Sequence, residues 1–412
     1  MNLTDLIKNQ EDFFSPIKFD WNNASNTFPD FFETIPPSTR QCNEEYILAS
    51  TDKIKNQFKR FHALPFMKHP WKKRTLQLIQ DFLEQENIFH VHRYLSGKAM
   101  DAFSDEMKQF IRAVRKFAPE LSFGDMGQAA RNYIVYAMFK EMHNEKSDFN
   151  LAAFGYSMMY PFSDNYIDNK ANSPLDKERY NQLIYDQIKG LCPHSPILHY
   201  QKTCELINAI ETVYPRDQDT DIYHLLLMML DAQKQSIHQQ NKSLPLTPSQ
   251  RLDISVYKGG ISVLIDRYFV KKELTKRDIS FYLGFGFFLQ LADDLQDIGE
   301  DYEKGHSTLF TIDINPTSLE KLVNKILHFL HHLMVGYQPD NIKFKEFILS
   351  SSYFLIFSAV IGSKEFFSDH YINTIQQYLP VSSTFLTNYN KLENMDLKTH
   401  VNYRKRFDEL LL

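Results

Sequence analysis

The chain has 412 residues, of which 43% are hydrophobic and 24% charged, with a formal net charge of −5. This composition is that of a globular protein with a sizeable core, and it offers no cationic surplus for nucleic acid or an anionic membrane surface. Cys42, Cys192 and Cys204 are the only cysteines. They form no CxxC pair and no disulfide framework, so the expectation is reduced thiols in a cytoplasmic protein.

Residues 1–70 carry Phe28-Pro29, Pro36-Pro37 and scattered aromatics such as Phe13, Phe14 and Trp21. They read as an irregular N-terminal arm with short helices, wrapped on a helical domain over 71–412. Apolar residues recur at helical spacing over 70–89, 104–117, 131–142 and 150–168. Further helices are predicted over about 175–189, 197–212, 220–240, 248–270, 276–304, 316–336 and 342–378. Ser173-Pro174 with Asp176 is an N-cap, first helical proline and capping-box acid, which explains Asp176 as a cap and not as a ligand. Thr247-Pro248 opens the 248–270 helix by the same logic. No apolar run reaches the roughly 18 residues that span a bilayer, and no repeat or alternating strand pattern is visible. The fold class expected is all-α, a single large helical bundle.

The chemistry concentrates in Gln290 to Asp301, QLADDLQDIGED, directly after the apolar run FYLGFGFFLQ. Asp293, Asp297 and Asp301 stand at i, i+4 and i+8, which places three carboxylates within about 80° of one helix face. Like charges at that spacing repel, and a divalent cation offsets the repulsion best. Oxygen donors without interleaved His or Cys suit Mg²⁺ or Mn²⁺ and not zinc. The competing reading is a solvated acidic helix surface. A second acidic pair, Asp164 and Asp168 in SDNYIDN, shares one face above Tyr160, Ser157 and Ala153. Two such helices would clamp metal ions that hold a polyphosphate.

QLADDLQDIGEDYEKG resembles the second aspartate-rich motif of the class I isoprenoid synthases. Gln290, Asp293, Asp294 and Asp297 match the QxxDDxxD of trans-prenyl diphosphate synthases. Asp297 to Asp301 (DIGED), with Gln290-Leu291 before and Gly305 after, resembles the corresponding stretch of phytoene and squalene synthases. The i, i+4, i+8 set also resembles the three-ligand metal site of terpene cyclases. Asp164 and Asp168 fall where the first motif belongs, and the resemblance covers roughly residues 125–310.

The resemblance implies a class I isoprenoid synthase bundle that ionises an allylic prenyl diphosphate with two or three Mg²⁺ ions. It casts Asp164, Asp168, Asp293, Asp294, Asp297 and Asp301 as metal ligands, and Lys258 and Arg216 as diphosphate contacts. Lys304 and Arg179 are weaker cationic candidates, and Tyr403-Arg404 only loosely matches a cyclase pair. Tyr160, Tyr156, Phe154, Phe287 and Leu283 are candidates for the carbocation wall. The family's elongating enzymes carry a paired Arg where this chain has Ser173 and Pro174. Their Gly-Lys-x-Arg element has no counterpart in Gly97-Lys98-Ala99-Met100. The expected activity is therefore terpene synthesis, or head-to-head joining of two prenyl diphosphates. A non-catalytic prenyl-binding or partner subunit is the remaining alternative, and a homodimer is the assembly the family suggests. His331-His332 and the set Asp231, Lys234, Gln235 and His238 carry no independent chemical signal.

Overall fold

The structure is a computed structural model that describes residues 3–61, 64–169, 171–240, 246–388 and 406–410, without the side chains of Thr4, Pro65 and Asp168. Among the described residues there is no strand. In chain order the helices are α1 (Leu3–Lys8), α2 (Glu11–Asn23), α3 (Pro37–Lys59), α4 (Pro65–Gln85), α5 (Val91–Tyr94) and α6 (Gly97–Phe117). Next come α7 (Phe123–Met142), α8 (Leu151–Asp168), α9 (Pro174–Ile188), α10 (Leu198–Val213) and α11 (Thr220–Ser236). The chain continues with α12 (Pro248–Val270), α13 (Lys276–Gln296), α14 (Ile298–Lys304), α15 (Pro316–Gly336), α16 (Ile342–Gly362) and α17 (Asp369–Gln376). The all-α class is as expected.

Local chemistry sets most of these boundaries. Reciprocal capping boxes start α9 (Ser173 with Asp176), α12 (Thr247 with Gln250) and α13 (Thr275 with Asp278), each satisfying two otherwise orphaned donors. Asp176 is thus a cap, as its spacing predicts. The helix expected over 276–304 is divided at Asp297. The Asp297 N–H still donates to Asp293 O at 3.0 Å and the Asp301 N–H to Asp297 O at 2.8 Å, so the carboxylates keep helical phase across the break. Gly305, at φ 73°, ends α14 in the left-handed conformation that glycine adopts without a Cβ penalty.

The core is centred on α12 and α13. Gly259 and Gly286 face one another so closely that neither leaves room for a Cβ, and this brings the two backbones into direct contact. Helix α2 lies across this pair. Its Trp21 sits edge-on to Phe287 and Phe329, at 5.3 and 5.9 Å between ring centroids. Helix α3, at 23 residues, is longer than the short helices expected before residue 70. Among the described helices, α16 alone has the length and apolar composition to cross a bilayer. It buries Phe344, Ile348, Ile356 and Val360 in the core, and a core helix shares that composition.

Candidate active site

Helices α4, α6, α7, α13 and α16 surround a cavity of about 1030 Å³, walled by Leu76, Ile79, Met107, Met138, Phe285 and Leu289 among others. The register of these helices fixes what lies at its end. Phe139 on α7 packs on Tyr282 and Phe285 of α13, at 4.8 and 6.0 Å between centroids. Toward the N-terminus of α7 and the C-terminus of α13, Arg131 and Asp293 meet electrostatically. The two helices are therefore antiparallel. On α13 the stripe Phe285, Leu289, Asp293, Asp297 repeats every four residues, and on α7 the stripe Met138, Ile134, Arg131 repeats every three to four. Each stripe lines the cavity with its apolar residues, and its charged members, Asp293 and Arg131, follow one turn further along, beyond the cavity's lining.

The carboxylates there are poorly compensated. Asp293 is reached by solvent, yet desolvation is the leading cause that raises its pKa, with Lys258 and Arg131 opposing. Both statements hold for a carboxylate on the wall of a cleft, touched by water but surrounded by protein. Burial pushes Asp294 up to about 7, against a hydrogen bond from Gln290 and with Asp293 and Asp301 adding repulsion. Gln290 Nε2 donates to Asp294 Oδ1 at 2.8 Å, while the buried Oδ2 has no hydrogen-bond partner. Asp297 is raised to about 6 by burial and then by Asp293, Asp301 and Glu300, with Arg131 opposing. Burial also raises Asp301, against a hydrogen bond to His306 Nδ1 at 3.0 Å. Four acidic groups thus crowd one another, although among the described residues no three His, Cys, Asp or Glu side chains converge tightly enough to hold a metal ion as they stand.

The other predicted residues divide. Asn165 donates to Asp125 at 2.9 Å, so the last turn of α8 lies beside the first of α7. Helix α8 is therefore antiparallel to α7 and parallel to α13, and Asp164 shares an end of the bundle with Asp293. Its carboxylate faces a different way, accepting from Gln233 Nε2 in a crevice of about 40 Å³ lined by Tyr156, Tyr180 and Gln233. The Asp168 side chain lies outside the described residues. Lys258 is half-buried on α12. It draws down the pKa of Asp293 and Asp294 without a direct ion pair to either.

Arg216 sits elsewhere. It donates to Glu211 at 3.0 Å and to the carbonyls of Gln187 and Ile188, and it stacks over Tyr223 at 4.2 Å. Helix α10 runs from His199, beside Phe162 of α8, to Val213, a rise of about 20 Å away from the acidic end. Arg216 closes the end of α9 and takes no part in the acidic site. Lys304 is paired with Glu300, and Arg179 is exposed. Tyr403 and Arg404 lie outside the described residues. Tyr156 and Tyr160 line the small crevice, and Phe154, Phe287 and Leu283 are packed in the core. None of these five lines the large cavity, because the face of α13 turned to it carries Phe285 and Leu289 instead. His331 bonds Tyr353 at 2.8 Å and stacks on Phe31 at 4.0 Å, a structural role.

Arg131 was not singled out in the sequence, although it sits at i−3 and i−7 from Ile134 and Met138, where an apolar stripe ends in a cation. Arg251, bonded to Ser307 at 2.7 Å, was missed as well. No protein-family model matches the chain, and no curated protein matches it.

Proposed function

We propose that the protein is a Mg²⁺-dependent class I isoprenoid synthase that ionises an allylic prenyl diphosphate. The observation that carries this reading is the α13 stripe, which lines a large apolar cavity with Phe285 and Leu289 and continues, one turn beyond it, into crowded and only partly compensated carboxylates. The donor set fits hard divalent ions. Asp293, Asp297 and Asp301 project at helical spacing, and Asp294 holds a buried oxygen without a hydrogen-bond partner. Bound there, Mg²⁺ would neutralise the diphosphate and stabilise it as a leaving group.

The chain's own residues do the rest. Arg131 and Lys258 flank the carboxylates with positive charge aimed at a developing anion. Gln290 holds Asp294 by one oxygen, which fixes the direction of the other. Phe285, Phe139 and Met138 line the cavity below the charged end. They exclude water there, and the aromatic faces stabilise a cationic chain.

Cavity size favours a long chain or two chains. At about 30 Å³ of liquid volume per water-sized atom, 1030 Å³ holds roughly 34 heavy atoms, enough for the hydrocarbon chains of two fifteen-carbon substrates with their diphosphate heads outside it. That volume supports a second reading, head-to-head condensation of two fifteen-carbon diphosphates, which the DIGED string also resembles. The test is diphosphate release from purified protein with ten-, fifteen- and twenty-carbon allylic diphosphates, with and without Mg²⁺, followed by mass analysis of the organic product. Mg²⁺-dependent release with unchanged carbon number supports a terpene synthase, and a doubled number supports condensation. No release from any substrate sinks both.

A further inference from the structure

One cation at the acidic end has no carboxylate partner. Helices α12 and α13 are antiparallel, since Arg267 lies over the Tyr282 ring at 5.6 Å and Gly259, about two turns earlier, abuts Gly286 and Gln290. Further toward the N-terminus of α12, Lys258 comes to the level of Asp293 and Asp294. Arg251 stands seven residues before Lys258, on the same helix face and about 10 Å away along the axis. That brings it to the level of Asp297 and Asp301.

A tied loop bears out this placement and fixes the direction of the side chain. After Gly305 the chain folds back on itself: Thr311 Oγ1 donates to the His306 carbonyl at 2.6 Å and accepts from the Thr308 N–H at 2.9 Å. The Ser307 N–H donates to the Gln239 carbonyl at 2.7 Å, which anchors the loop to the turn that follows α11. His306 Nδ1 bonds Asp301 Oδ1 at 3.0 Å, and Arg251 Nε donates to Oγ of the next residue, Ser307, at 2.7 Å.

Arg251 is half-buried, and among the described residues its side chain bonds the neutral Ser307 and forms no ion pair. Burial disfavours its charge, and no carboxylate offsets this. A guanidinium carries five N–H donors, and here Nε uses the single one it has while the four on the terminal nitrogens stay open. By contrast, Arg216 bonds protein groups through Nε and both terminal nitrogens. A fork held at Nε and open at its tip suits two oxygens of one phosphate group.

We propose that Arg251 grips the diphosphate of the allylic substrate from the α12 side, and that Ser307 is the positioning residue that aims it. The role assigned to Arg251 rests on the isoprenoid synthase reading and adds a contact that lies outside the aspartate-rich motifs. Lys258 and Arg251 then reach the leaving group from two levels of one helix face, while the α13 acids hold the metal.

The test is calorimetric titration of the full chain, in Mg²⁺, with a fifteen-carbon prenyl thiodiphosphate, which resists ionisation and reports binding without turnover. Arg251→Gln keeps a donor for Ser307 and removes the charge. It should weaken binding at least about tenfold, with the melting temperature close to that of the parent. Arg251→Lys should recover only part of the loss, because an ammonium has no fork. Ser307→Ala should weaken binding about threefold to fivefold, and Ser307→Thr should restore it. Unchanged affinity in Ser307→Ala removes Ser307 from the site. Unchanged affinity in Arg251→Gln, with its helical circular dichroism intact, overturns the proposal. If that variant also keeps the parent's Mg²⁺-dependent diphosphate release and KM, the synthase reading survives without it. Binding that depends on Arg251 in a protein that releases diphosphate from no substrate keeps the seat and removes the synthase reading. No binding of the thiodiphosphate by the parent protein overturns both.

Discussion

Two regions of this molecule place acidic groups against the protein interior, Glu106 fully and, at the end of α13, Asp294 buried with more exposed neighbours, and they treat them in opposite ways. Between α6 and α7, Glu106 is fully buried and meets the equally buried Lys140 at 2.7 Å. Tyr133 donates to the same carboxylate at 3.0 Å, and Lys140 also donates to the Asp148 carbonyl at 2.6 Å. At the end of α13, Asp293, Asp294, Asp297 and Asp301 crowd one another; Gln290 bonds Asp294 at 2.8 Å and His306 bonds Asp301 at 3.0 Å, while Lys258 and Arg131 oppose Asp293 from a distance. The first arrangement compensates the desolvation of charge with partners close by. The second leaves part of that cost standing, which a bound cation would offset under the proposed function.

The sharpest way to break this contrast is to remove one acid from each region. Asp297→Ala or Asp293→Ala should lower diphosphate release by about a thousandfold or more, with far-ultraviolet circular dichroism unchanged. Folding stability should hold or rise by a few tenths of a kcal/mol as repulsion is relieved. Full activity in both variants would remove the α13 acids from the chemistry. Glu106→Ala should do the reverse. It strands Lys140 in the core and should cost about 3–5 kcal/mol, read as a fall in denaturation midpoint. The fraction that remains folded should keep its turnover.

These outcomes bear on what the sequence makes legible. Caps and periodicity place α9, α12 and the start of α13 to within a residue or two, because Ser173, Thr247 and Thr275 act locally, whereas the break at Asp297 is not legible. The acidic stripe is legible for the same reason, since helical spacing alone puts Asp293 and Asp297 together. The cavity wall is not. FYLGFGFFLQ is apolar all round, so no period distinguishes the face bearing Phe285 and Leu289 from the one bearing Leu283 and Phe287. Only the positions of α7 and α16 decide it. Arg216 illustrates the same limit, because its partners Gln187 and Ile188 come from a helix some thirty residues earlier. The direction of Asp164 likewise depends on Gln233, contributed by α11.

The contrast also has a pH signature. Asp294 at about 7 and Asp297 at about 6 stand above their usual carboxylate values. A raised carboxylate pKa in the fold means that the folded state holds its protons more tightly than the unfolded chain. The stabilisation this gives is present at low pH and is lost as pH rises through the folded values, here between about 4 and 7. Mg²⁺ acts in the other direction, since it binds only deprotonated ligands. The rise in melting temperature on adding Mg²⁺ should therefore be absent at pH 5 and grow between pH 6 and 8. Asp297→Asn should reduce it. Glu106→Gln should leave it in place, whatever that change does to the baseline stability. A Mg²⁺ shift that is the same at pH 5 and pH 8 would mean that the ion binds elsewhere.

The smallest expected effect concerns an acid that the fold has already put to use. Asp176 lies a few residues after the acidic end of α8, but its carboxylate is engaged by the Ser173 N–H at 3.3 Å and by the Ser173 hydroxyl at 2.6 Å. Ser173 Oγ in turn accepts from the Asp176 N–H at 3.2 Å. These bonds hold the Asp176 pKa below its usual range, the opposite of the α13 acids. Ser173→Ala breaks the reciprocal cap and should cost about 1 kcal/mol of stability, with no change in diphosphate release or in the Mg²⁺ shift. A cap and a metal site can use the same residue type within reach of the same bundle end. What separates them is whether the carboxylate already has its hydrogen-bond donors, and a loss of turnover in Ser173→Ala at full helicity would show that this criterion fails here.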